Sequence, residues 1–146
     1  CTSLQEIIVP DSVVKMGNHV FGGCRSATRI VFPKYLTYLP GSGVSFCNYM
    51  VEFVFPENVK SISNYFFYGC ISLKEIVIPD TVTTIDFRAF WDCTSLTRIT
   101  IPASVTKIDS TAFDGCKKDK LVWVVTPGSY AETYAKKNYY HYTYAK

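Results

Sequence analysis

Apolar positions recur along this chain with a period far longer than that of a helix or a strand. One column holds Leu4, Ala27, Met50, Leu73 and Leu96, and three residues on stand Ile7, Ile30, Phe53, Ile76, Ile99 and Val122. Two beyond those lie Val9, Phe32, Phe55, Ile78, Ile101 and Val124. Later columns hold Val13, Leu36, Val59, Val82 and Val105, then Met16, Leu39, Ile62, Ile85 and Ile108. An aromatic column of Phe21, Phe67, Phe90 and Phe113 is broken only by Val44. Cysteines mark the same beat at positions 1, 24, 47, 70, 93 and 116, each gap being 23 residues, and Pro10, Pro33, Pro56, Pro79 and Pro102 keep step. A fixed period of this size predicts a solenoid, whose units bury their apolar sides against their neighbours.

Within a unit, Leu73-Lys-Glu-Ile-Val-Ile78 is short, β-branched and closed by Pro79. It reads as a strand that the proline ends, because proline cannot donate to the next ladder bond. Ile76 and Ile78 point to one face, Glu75 and Val77 to the other. Since every unit places its strand at the same phase, the strands stack in parallel. A second extended piece (Val82-Thr-Thr-Ile85) and a tight turn close each coil, with no room for a helix of ordinary length. Coil irregularity is expected between Pro33 and Met50, where Ala27 replaces a core leucine nearby and Phe46 stands where other units carry Gly23, Gly69, Asp92 or Gly115. Phe46 is expected to swing inward and fill the space.

Residues 126–146 break the period. Thr126-Pro-Gly-Ser-Tyr-Ala-Glu-Thr-Tyr-Ala-Lys-Lys-Asn138 has helix start and stop signals in the right order. Tyr140, Tyr142 and Tyr144 then alternate with His141 and Thr143, predicting a final strand. The chain is therefore divided into repeats over 1–125, about five complete and one partial, and a C-terminal cap over 126–146 that covers the last apolar face. No comparable unit precedes Cys1, and further repeats or another domain are expected upstream.

The wording Cys-x-x-Leu-x-x-Ile-x-Ile-Pro, as in Cys70–Pro79 and in Ala89–Pro102, resembles the BspA-like leucine-rich repeat family. The resemblance runs from Cys1 to about Val125 and loosens over Pro40-Gly-Ser-Gly-Val-Ser-Phe-Cys47. It implies a curved, mostly β solenoid with a parallel sheet on its concave side, here followed by a short capping helix. It also implies a secreted or cell-surface protein, linked to adhesion and protein binding, with no catalytic residues to carry over.

Composition narrows the partners. With 15 Lys and Arg against 12 Asp and Glu, the net charge of +3 offers no clustered basic face for nucleic acid. No apolar run reaches the roughly 18 residues that would cross a bilayer, so no membrane insertion is expected in this segment. Uniform spacing of the cysteines gives none of the close pairs that structural zinc wants. Parallel, in-register side chains point the same way, which suits a buried thiol ladder better than disulfides or metal. No phosphate loop, HExxH or paired-carboxylate motif appears, Gly41-Ser42-Gly43 is not a nucleophile elbow, and His19 and His141 read as surface or packing residues. Neither enzyme activity nor a cofactor is expected.

The outward strand positions carry the candidate site. Glu6–Arg29–Glu52 and Glu75–Arg98 form cross-strand neighbours of opposite sign beside an apolar strip of Ile8, Val31, Val54, Val77, Thr100 and Trp123. The concave patch Glu52, Val54, Glu75, Val77, Arg98, Thr100 and Trp123 is the expected binding face for a protein ligand of host or cell-surface origin. Two alternatives stand beside it. One is carbohydrate binding through tyrosines of the loops and cap (Tyr35, Tyr38, Tyr49, Tyr65, Tyr139), and the other is a passive spacer.

Overall fold

The computed structural model describes residues 3–146; Cys1, the first member of the cysteine column, lies outside the described residues. The first three coils carry β1 (Glu6–Ile8), β2 (Arg29–Val31) and β3 (Glu52–Val54), with β4 (Ser61–Ile62) on the return side of the third. The next two carry β5 (Glu75–Val77), β6 (Thr84–Ile85), β7 (Arg98–Ile101) and β8 (Lys107–Ile108). The chain finishes with β9 (Val122–Val125), α1 (Tyr130–Lys137) and β10 (His141–Tyr144). All strand pairs are parallel, and the 23-residue beat appears directly as register, Glu6 opposite Arg29, Arg29 opposite Glu52, Glu75 opposite Arg98.

Burial follows the columns. Ile30, Leu36, Ile62, Leu73, Ile78, Ile85, Leu96 and Ile99 are all sealed from solvent, whereas Leu4, in the first coil, is half exposed. Phe67, Phe90 and Phe113 stack one above another with centroids 4.9 and 5.1 Å apart. Val44 is too small to continue that column, and Phe66 of the next coil fills the space instead. Its ring lies where a Cβ on Gly43 would come within 2.5 Å, which is why a glycine stands there. Phe46 does not swing inward: it is 43% exposed and held at a φ of 57°.

The concave sheet is split. Strands β1-β2-β3 form one sheet and β5-β7-β9-β10 another, with no ladder between β3 and β5. Four phenylalanines of the third coil crowd together at this break. Phe53 meets Phe55, Phe66 and Phe67 edge-on at 4.9, 5.3 and 5.2 Å, a wider wedge than the isoleucines of other coils. Glu52 and Glu75, like charges on facing edges, add to it. The coils stay joined behind the split, where β4-β6-β8 form their own sheet and Phe67 N–H donates to Ala89 C=O at 2.8 Å. That second sheet begins only at the third coil. Between the first two, Tyr38 Oη stands in for it, accepting from Met16 N–H and donating to Met16 C=O.

The last coil is one residue longer than the rest. Arg98 faces Val122 and Ile99 faces Trp123, a step of 24. Asp119 occupies the leucine column and cannot enter the core, so the turn lengthens and Leu121 is buried in its place. Trp123, expected at the exposed end of the concave strip, is consequently fully buried. Its ring stacks on Tyr134 and Tyr140 at 5.5 and 4.8 Å and meets Phe113 at 4.9 Å. Val122 and Val124 correspondingly move to the register of Arg98 and Thr100.

The helix α1 closes the end of the stack. Ser129 caps it by accepting from Glu132 N–H, and Glu132 Oε2 reaches back to Gly128 N–H at 2.6 Å. Beyond it β10 pairs with β9, His141 opposite Val122.

Candidate ligand-binding faces

Glu52, Val54, Glu75, Val77, Arg98 and Thr100 all point to the concave side, but the split divides them. Glu52 and Val54 sit on one sheet and the other four on the next. A cleft of about 250 Å³ opens between, walled by Val51, Glu52, Phe53, Glu75, Ile76 and Val77. The two halves differ in how their charges are used. Arg29 bridges Glu6 and Glu52, its Nε 3.1 Å from Glu52 Oε2, and the two hydrogen-bonded carboxylates raise its pKa. Glu75 and Arg98 stand in register without closing an ion pair among the described residues. Beside them Val77 is 67% exposed. Trp123 takes no part in this face.

A second face lies on the turn edge, where sequence reasoning looked only for scattered tyrosines. The first four turns each carry two left-handed residues four apart, and the fifth carries one. One column is His19, Ser42, Tyr65 and Arg88; the other is Gly23, Phe46, Gly69, Asp92 and Gly115. The rings that follow form an aromatic row, with Phe46 against Tyr68 at 4.3 Å, Tyr68 stacked on Trp91 at 4.8 Å and the Arg88 guanidinium over Trp91 at 3.9 Å. At one end of the row is a hollow of about 680 Å³. Of the five tyrosines singled out from sequence, Tyr65 alone lines it. Tyr38 is committed to Met16, while Tyr35, Tyr49 and Tyr139 stand apart as exposed rings. The signal that was available is Phe46 in a column of glycine and aspartate, inside the segment where the repeat wording is lost.

The thiol column is buried from Cys24 to Cys93 and half-buried at Cys116. Each Sγ from Cys47 onward donates to a carbonyl of the preceding coil, as Cys70 does to Val44 at 3.3 Å. Burial pushes the Cys47 thiol up to about 12 and raises Cys70 and Cys93 well above the ordinary range. Among the described residues no three His, Cys, Asp or Glu side chains gather into a group that could hold a metal ion. Among the described residues no helix is long and apolar enough to cross a membrane.

The profile of the BspA type leucine rich repeat region matches residues 1–120 in 6 copies, and the chain belongs to that family. The fold is correspondingly close to those of solved bacterial proteins. A leucine rich cell surface protein from Faecalibacterium prausnitzii superposes with a TM-score of 0.81 and 30% identity, over 90% of this chain and 34% of that one. The leucine rich repeat protein of T. pallidum gives 0.75 and 25%, over 82% of this chain and 57% of that one. A leucine-rich repeat protein from Bacteroides ovatus gives 0.73 and 29%, over 84% and 33%. The chain thus spans about a third to somewhat over half of the length of these neighbours. No curated protein matches it.

Proposed function

We propose that this chain is a non-catalytic, protein-binding module of a cell-surface or secreted protein, acting in adhesion through the second half of its concave face. The observation that carries this reading is the uncommitted trio of Glu75, Val77 and Arg98: an exposed apolar side chain beside two charges that have not neutralised each other. Unpaired charges of both signs suit a mixed-charge protein surface better than a polyanion and raise association rates. The Faecalibacterium neighbour, itself a cell surface protein, supports the location. Buried thiols of raised pKa supply little thiolate and so tolerate an oxidising exterior.

The test is capture from host extracellular-matrix proteins followed by surface plasmon resonance on purified variants. Val77→Asp should weaken the captured partner by roughly tenfold or more, and charge reversal at Glu75 or Arg98 should act mainly on the association rate and its salt dependence. Glu6→Lys, on the internally paired half, should change little. A module that captures no protein, or whose Val77 and Arg98 variants bind like the parent, is a spacer.

A further inference from the structure

The hollow on the turn edge is independent of the concave face, and the residues around it are unusual for their places in the repeat. Phe46 occupies a left-handed position with φ 57°, where the equivalent residues are Gly23, Gly69, Asp92 and Gly115. A bulky side chain there is strained, at a cost of order 1 kcal/mol. The ring is 43% exposed and stands outside the sealed core. Its surroundings nonetheless hold it in place. It rests against Tyr68 and over Gly69, where a Cβ would come within 2.8 Å of the ring. Tyr65, on the next coil, lines the same hollow and packs its ring against Phe87 at 5.3 Å. A ring held in a strained, half-exposed position beside a hollow with a second aromatic in its lining is better explained by what it presents than by what it stabilises.

The rest of the lining is polar or small, made of His19, Arg25, Ser42, Ser45, Gly22 and Gly23. No side-chain polar group of His19, Arg25, Tyr65 or Tyr68 has a protein partner among the described residues, whereas the Ser45 hydroxyl donates to Ser42 C=O at 3.1 Å. No carboxylate lines the hollow, so the Arg25 charge is uncompensated there. Its volume of about 680 Å³ falls in the range of small-molecule sites. Aromatic rings, hydroxyls, an imidazole and one free guanidinium around one hollow match a ligand with an apolar C–H face, a rim of hydroxyls and a negative charge.

The geometry points to a saccharide-binding site at this hollow, selective for sugars that carry a carboxylate, of the uronic or sialic acid type. Phe46 and Tyr65 supply the stacking surface, Ser42, Tyr68 and His19 the hydroxyl contacts, and Arg25 the bidentate partner of the carboxylate. In the segment from Pro40 to Cys47, where the repeat wording is lost, Gly43 admits the Phe66 ring while Ser42 and Phe46 line the hollow.

Tetragalacturonate, sialyllactose and neutral lactose serve as probes, followed by isothermal titration and by tryptophan emission, since Trp91 stacks on Tyr68. At least one of the two carboxylated probes should bind saturably and roughly tenfold or more tighter than lactose; which one responds distinguishes a uronic from a sialic ligand. Phe46→Gly restores the residue found elsewhere in its column, so it should leave the melting temperature unchanged or raised while weakening the bound probe roughly tenfold or more. Arg25→Gln should bring that probe down to the level of lactose. Absence of saturable binding by both carboxylated probes, equal binding of lactose, or full affinity in a folded Phe46→Gly protein would overturn the assignment. None of these outcomes touches the concave face, whose variants are read separately.

Discussion

Cys70 shows how much a single position can hold. It recurs because each coil needs a small, apolar side chain at the junction, and its Sγ hydrogen bond to Val44 C=O satisfies a carbonyl one coil back. Stacked thiols point the same way, so neighbours in the column sit side by side without the geometry a bridge requires. Buried in the column, and with burial raising the pKa of Cys47, Cys70 and Cys93, these thiols react only when the coil opens. Ellman's reagent should therefore find Cys24, Cys47, Cys70 and Cys93 silent in the native protein and fully reactive in guanidinium, with half-buried Cys116 the first to label. Equal labelling in both states would contradict the buried ladder. The column itself was legible from spacing; its hydrogen-bond partners were not, since they depend on how the preceding coil runs beneath it. Trp123 was misplaced for a related reason. Its surroundings are set by one extra residue in the turn before it, and Asp119 in a leucine column was the only sign. Its indole is now part of the core, and Trp123→Ala should cost about 3–5 kcal/mol in denaturant unfolding rather than act on binding.

Among the elements, α1 is held by one carboxylate with many partners. Glu132 accepts from Lys136 Nζ at 2.6 Å, from Gly128 N–H and from Tyr144 Oη at 2.8 Å, tying the helix to its own start and to β10. The Lys136 bond, then those from Gly128 and Tyr144, lower its pKa from the usual 4.5 to about 2. A depressed carboxylate stabilises the folded state in full above its unfolded pKa, and that contribution is lost as pH falls through the folded one. The α1–β10 unit should therefore loosen between about pH 4.5 and pH 2, seen as faster amide exchange there than in β5 and β7. Glu132→Gln should weaken the unit at neutral pH and remove this acid step; an unchanged step would place its origin elsewhere. The strands illustrate the opposite case. Their phase followed from the alternation of Glu75, Ile76 and Val77, but the missing ladder between β3 and β5 falls where four phenylalanine rings crowd the third coil.

On the scale of the whole molecule, each coil touches only its neighbours, so stability adds up along the stack and the ends are its weak points. Removing 126–146 would uncover Trp123 and leave β9 as a free parallel edge. Such a chain is expected to aggregate or melt markedly earlier, as size-exclusion chromatography and thermal unfolding would report. A truncated protein that stayed monomeric with an unchanged melting temperature would deny α1 and β10 any capping role.

Repetition made much of this architecture readable from the chain. When every unit repeats its strand at one phase, local alternation and global stacking become the same constraint, and the parallel solenoid, its core columns and the terminal helix follow from it. The exceptions arise where a coil departs from the common pattern or meets its neighbour: the split in the concave sheet, the outward ring of Phe46, the buried Trp123 and the hollow on the turn edge. Each is settled by which side chains can share the same space once the coils lie against one another. That contest is decided only when the coils are packed.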